Sequence, residues 1–187
     1  MEMSKKLLGA EHPDTVTSME YLAITYWHQG RWNEAEQLQV QVMEMRKKLL
    51  GEKNPYTLTS MENLASTYQD QRRWNEAEQL EVQVMEMRKK LLGAEHPDTL
   101  SSMGNLASVY RNQGRWNEAE QLDVQAMEMR KKLLGAEHPY TLLSMSNLAW
   151  TYWHQGRWNE AEQLQVVLPK SSSVRFFNIF REPRTGL

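Results

Sequence analysis

The sequence predicts an all-α fold made of stacked helix pairs. Three observations carry that expectation. One phrase is written four times: GRWNEAEQL at 30–38, RRWNEAEQL at 72–80, and GRWNEAEQL again at 114–122 and 156–164, always 42 residues apart. Around each copy lie two segments whose apolar residues fall at helical intervals. A turn-forming stretch separates the two segments. A fixed period of this size is the signature of a repeat array. A helix pair this small cannot bury both of its apolar stripes alone, so each copy supplies the surface that covers the next.

The repeats read as 12–53, 54–95, 96–137 and an incomplete fourth at 138–168. Residues 1–11, MEMSKKLLGAE, match 43–53, so they read as the end of a truncated preceding repeat. The first helix of each repeat opens at HPDT, NPYT or HPYT. Proline suits the first helical position, and an aspartate behind it favours the helix dipole. His12, His96 and His138 occupy the cap position there. Met19, Leu22, Ala23 and Tyr26 form the apolar stripe. HQGR then ends the helix, with Gly30 placed for a left-handed cap. The second repeat has Arg72 at that point, which carries a cost if φ is positive.

The second helix starts inside the repeated phrase. Asn33 reads as its cap, with Glu36 three residues on as in a capping box. Ala35, Leu38, Val42, Met45 and Leu49 mark its buried side. Arg46, Lys47 and Lys48 read as a solvated, dipole-favoured end, and Gly51 stops the helix. Met43, Met45, Met85, Met87, Met127 and Met129 read as packing side chains. So do the tryptophans of the repeated phrase, Trp32, Trp74, Trp116 and Trp158.

The order Leu64-Ala65, Tyr68, Gln71-Arg72-Arg73-Trp74, Ala77, Leu80 resembles the tetratricopeptide repeat. The 42-residue form, with NLASTYQDQRRWNEAEQL and LLGAEHPD, is similar to the kinesin light chain type and to the repeat arrays of fungal nucleotide-binding immune-type receptors. The resemblance spans residues 1–166. It implies a right-handed α-α superhelix whose first helices line a concave groove for a peptide or protein partner. It also marks two departures. The second-helix position that is aromatic or apolar in the short repeat is Gln39, Glu81, Asp123 and Gln165 here. No proline ends the second helix early, so it should run about two turns further, to Leu-Leu-Gly.

The four copies act as controls for one another. The second helix is nearly constant, while the first varies at Glu20/Glu62/Gly104/Ser146, Tyr21/Asn63/Asn105/Asn147, Ile24/Ser66/Ser108/Trp150, Trp27/Gln69/Arg111/Trp153 and His28/Asp70/Asn112/His154. At roughly 100° per residue these sites share one face about 120° wide, opposite Met19, Leu22 and Tyr26. A packing face could not take such swaps cheaply, since large-to-small core changes cost about 2–5 kcal/mol. The candidate partner-binding residues are therefore Glu20, Tyr21, Ile24, Trp27, His28, Glu62, Asn63, Ser66, Gln69, Asp70, Asn105, Ser108, Arg111, Asn112, Asn147, Trp150, Trp153 and His154. Trp27, Trp150 and Trp153 lie outside the repeated phrase and suit interface anchors. Asn63, Asn105 and Asn147 match the family's groove asparagines, which hydrogen-bond a partner's backbone, and Tyr21 replaces that asparagine in the first repeat. Neutral drift on exposed positions is the competing explanation. It would also scatter changes over Gln41, Glu44 and Lys47, which instead recur unchanged in each complete copy.

The resemblance implies a non-catalytic module with no cofactor, and the residues agree. There is no cysteine, no phosphate-cradling glycine loop and no second metal ligand at helical spacing from His12, His96 or His138. A formal net charge of -2 points away from nucleic acid or an anionic membrane. No window reaches 18 apolar residues, and a cytoplasmic location is the expectation. Kinesin light chains take acidic, tryptophan-bearing peptides through a basic groove. The face here is mixed, with Glu20, Glu62 and Asp70 against Arg111, so that preference is not carried over. All three phenylalanines, Phe176, Phe177 and Phe180, lie in 169–187. Pro169 interrupts the expected last helix there, and the segment reads as a divergent tail or a cap. Two other roles stand beside partner binding: a structural spacer that self-associates through uncapped ends, and the sensor fragment of a larger nucleotide-binding receptor.

Overall fold

The structure, a computed structural model, describes residue 9 and residues 11–166. The expected repeat remnant before the first unit, apart from Gly9 and Glu11, and the tail at 169–187 lie outside the described residues. Among the described residues there are eight helices and no strand: α1 Pro13–His28, α2 Trp32–Leu50, α3 Pro55–Asp70, α4 Trp74–Leu92, α5 Pro97–Asn112, α6 Trp116–Leu134, α7 Pro139–His154 and α8 Trp158–Val166. They fall into two compact units, Met1–Gln113 and Gly114–Leu187. The first holds α1–α5 and the second α6–α8. Inside each unit consecutive helices pack on one another, and the turns of three or four residues make neighbours antiparallel.

The first helices begin as the sequence predicts. His12, His96 and His138 accept the backbone N–H two residues on through Nδ1, at 3.2 Å each, and Asn54 does so through Oδ1 at 2.9 Å. Each cap satisfies a donor that the helix start leaves without a partner. Thr15, Thr57 and Thr99 are fully buried, and each hydroxyl donates to the carbonyl of the glycine six residues earlier. That bond fixes the linker between one repeat and the next. Arg72 has φ 60, against 71 at Gly30 and 75 at Gly114, so one non-glycine residue holds a left-handed turn.

The second helices start two residues earlier than the capping box requires. Their caps are Arg31, Arg73 and Arg115, and none makes a side-chain cap bond. Asn33 and Glu36 serve the next repeat instead. Gln71 donates to Asn33 and Glu36 at 3.2 and 2.8 Å, and Arg73 donates to Glu36 at 2.7 Å. In the second unit Gln155 and Arg157 bind Asn117 and Glu120 in the same way. Each of Arg31, Arg73 and Arg157 also sits over the ring of the tyrosine five residues before it, at 4.0–4.2 Å. The repeated phrase is therefore a clasp, with its arginine on one repeat and its glutamate on the previous one.

The core follows the predicted stripes. Met19, Ala23, Ala35 and Val42 are buried in the first repeat, and Leu58, Leu64, Ala65, Ala77 and Val84 in the second. Three expectations fail. Leu49 is 44 % exposed, as are Leu91 and Leu133 to a similar degree, because the helix has by then outrun the partner that would cover it. Trp32 and Trp158 are 40 % and 49 % exposed rather than buried. Arg46, Arg88 and Arg130 are buried, not solvated helix ends.

Candidate functional site

The buried arginines define the base of the varied face. Arg46 on α2 clamps Glu20 of α1 through both guanidinium nitrogens, at 2.7 and 2.6 Å, and donates to Ser60 of α3 at 2.7 Å. Arg88 on α4 repeats this with Glu62 of α3, at 2.6 and 2.7 Å, and with Ser102 of α5 at 2.8 Å. One guanidinium thus ties three helices across a repeat boundary, in the bidentate geometry that makes arginine–carboxylate pairs strong. Burial pushes the Glu62 carboxyl above its usual range even with Arg88 beside it. In the second unit Arg130 donates to Ser144 at 2.7 Å. The position equivalent to Glu20 and Glu62 is Gly104 in the third repeat, so that repeat has no carboxylate to offer there.

The predicted residues occupy α1, α3 and α5 in the first unit and α7 in the second. None is fully buried. Tyr21 is 68 % exposed, Trp150 is 36 % exposed, and His28, Asp70, Asn112 and His154 are exposed. Ile24, Trp27, Ser66, Gln69, Ser108, Arg111 and Trp153 are half-buried. In the first unit many of them meet in lateral pairs spaced 43 residues apart. The Trp27 indole N–H donates to Asp70 at 2.6 Å, and Asn112 donates to Gln69 at 3.2 Å. Asn63 and Asn105 donate to Glu20 and Glu62 at 3.5 and 3.2 Å. These four pairs match varied residues of neighbouring repeats, a pairing that single-repeat reasoning could not reveal.

Between α1 and α3 these side chains enclose an open cleft of about 210 Å³, lined by Ile24, Trp27, His28, Gln39, Asn63 and Ser66. Gln39 was legible only as a polar residue at an apolar position of the repeat. Its buried amide oxygen accepts from Thr67 at 2.7 Å and forms the cleft floor. In the second unit the aromatic residues gather. The His154 ring stacks on Trp116 at 4.6 Å and meets the edge of Trp150 at 4.7 Å. Trp153 meets Trp158 edge to face at 4.4 Å. Trp116, half-buried, and Trp158, exposed, were expected to be plain packing residues and make these contacts with the varied residues of α7. Among the described residues no group of three or more His, Asp or Glu is placed to hold a metal, and no helix is long and apolar enough to cross a membrane.

The tetratricopeptide repeat family model matches residues 1–48, 19–90, 57–132 and 98–165, nearly the whole chain. The chain belongs to the tetratricopeptide repeat family. Crystal structures agree. Nearly identical TPR-like repeats from Podosopora anserina, described as of the kinesin light chain kind, share 35 % identity. They superpose with a TM-score of 0.78 over 89 % of this chain and 79 % of that one. A single-substitution form of the same repeats gives 34 % identity and a TM-score of 0.79 over 89 % and 80 %. BtubC (BKLC) from P. vanneervenii, at 19 % identity and a TM-score of 0.75 over 91 % and 74 %, shares the fold. No curated protein matches the chain. The fold class is thus the all-α superhelical class of TPR proteins, with repeats of the kinesin light chain kind. TPR repeats of this kind are protein–protein interaction scaffolds, typically without catalysis, and their partners are proteins or peptides.

Proposed function

We propose that this chain binds peptide or protein segments on the varied faces of its first helices, each unit presenting its own face: α1, α3 and α5 in one and α7 in the other. The observation that carries the reading is the contrast within each repeat. The open face that changes from copy to copy holds a cleft and three unscheduled tryptophans, while the equally open back, at Gln41, Glu44 and Lys47, does not change. Partly exposed aromatic side chains beside exposed polar groups suit interface anchors, a few of which carry most of the energy of an interface. The mixed charge of the face, with Asp70 and His28 beside the cleft, favours a partner that brings both apolar and polar side chains rather than a strongly acidic one.

A random peptide library panned against the 187-residue chain tests this. The wild-type protein should enrich a consistent set of sequences. The triple variant Trp27→Ala, Trp150→Ala, Trp153→Ala should lose that set while keeping its helical circular dichroism. Enrichment of the same set by both proteins, or of none by the wild type, would defeat the proposal.

A further inference from the structure

The sites at 39, 81 and 123 lie deep in the second helices, and each is a polar residue enclosed by the stack. Gln39 is 6 %, Glu81 1 % and Asp123 2 % exposed. A buried polar atom needs a hydrogen-bond partner. For two of them the next first helix supplies it, always 28 residues on. The Thr67 hydroxyl donates to Gln39 at 2.7 Å, and the Thr151 hydroxyl donates to Asp123 at 2.8 Å. The residue 28 positions after Glu81 is Val109, fully buried and without a donor. Accordingly Oε2 of Glu81 has no hydrogen-bond partner, although it is closed off from solvent. Three near-identical junctions thus contain one with its donor deleted and with a full carboxyl in place.

The surroundings of Glu81 do not favour a charge. Its neighbour on α3, Glu62, is itself a carboxylate, and the nearby cation, Arg88 on α4, is already engaged by Glu62, Ser102 and the Asp98 carbonyl. From α5 the facing group is Asn105, which hydrogen-bonds toward Glu81, while the charge of Asp98 acts on Glu62. We propose that Glu81 sits in the fold as a neutral carboxylic acid and makes the α4–α5 junction a proton-operated joint, closed while Glu81 keeps its proton and loosened when the proton leaves. Burial first, then the charge of Glu62, pushes this carboxyl up to about 8, against an ordinary value of 4.5. The sign follows directly. Below about pH 4.5 the folded and unfolded chains both hold the proton. Between 4.5 and 8 only the folded chain does, so this contribution to stability is lost as pH rises through that window.

The full chain, ¹³C-labelled at glutamate side chains, tests this by NMR titration and amide hydrogen exchange from pH 5 to pH 9. The Glu81 carboxyl should titrate near 8. Exchange of α4 and α5 amides, corrected for intrinsic rates, should rise about tenfold or more across the range, while α2 stays protected. Glu81→Gln should remove that rise. Val109→Thr, which returns the missing donor, should lower the midpoint by about one unit, because a hydrogen bond favours the charged form. Titration of Glu81 in the ordinary carboxylate range would overturn the proposal, and so would an equal rise in exchange in wild type and Glu81→Gln. The direct titration stands even if a variant fails to fold.

Discussion

The first and second helices of each repeat are written under different rules. The second helix hardly changes. Its arginine is buried, bidentate and shared among three helices, and its glutamate is clasped by the next repeat. The first helix keeps one stripe for the core and lets the other side vary. What varies is matched sideways, Trp27 with Asp70 and Gln69 with Asn112. The second helix stays constant along with the clamp and clasp it makes across the repeat boundary, while the first helix varies in pairs matched across the same boundary. A repeat array can change its surface without changing its stacking only if the two tasks sit on different helices, or on different sides of one helix.

The sharpest way to break this contrast is to cut the shared guanidinium. Arg88→Ala strands the half-buried Glu62 carboxylate and removes four helix-to-helix bonds. It should cost about 3–5 kcal/mol in urea denaturation, because breaking a buried pair leaves an uncompensated charge. An effect below about 1 kcal/mol would mean that the constant helix is not held constant by this contact.

The next effect comes from Glu81. At pH 8.5 Glu81→Gln should be more stable than wild type, by up to about 4 kcal/mol if the whole shift is expressed, and the gain should vanish near pH 4.5. Thermal melts at both pH values check it. Its mirror is Thr67→Val, which gives the α2–α3 junction the same deletion that Val109 makes naturally. That change should cost about 1–3 kcal/mol by leaving Gln39 without its donor.

The smallest effect concerns the turn at Arg72. Arg72→Gly relieves a non-glycine residue at φ 60 and restores the phrase used by the other three copies. It should raise stability by about 1 kcal/mol in the same denaturation assay. A loss would show that the arginine side chain contributes more than its backbone costs.

The sequence made the helix pairs, their caps and their order legible, because periodicity, proline, cap residues and glycine act locally. His12, His96 and His138 cap as read. Asn33 and Glu36 did not, because a capping box and an inter-repeat clasp use the same residue types, and only a neighbour in space decides between them. Arg46 and Arg88 were read as solvated, since helix-end charge is the common case and the half-buried carboxylates facing them lie 26 residues away. The varied face was legible from comparing copies. Its lateral ladder at 43-residue spacing and the Gln39 floor of the cleft were not, since both depend on the register of one repeat against the next. The aromatic cluster at His154 drew in Trp116 and Trp158, which their place in a constant phrase had disguised.

The central claim is that a visitor docks on the changing side. A photo-crosslinking peptide taken from the enriched library set, mapped on the wild-type chain by mass spectrometry, tests it most directly. Adducts should fall on Ile24, Trp27, Ser66, Trp150 and their neighbours. Adducts confined to the unchanging back, around Gln41, Glu44 and Lys47, would contradict it.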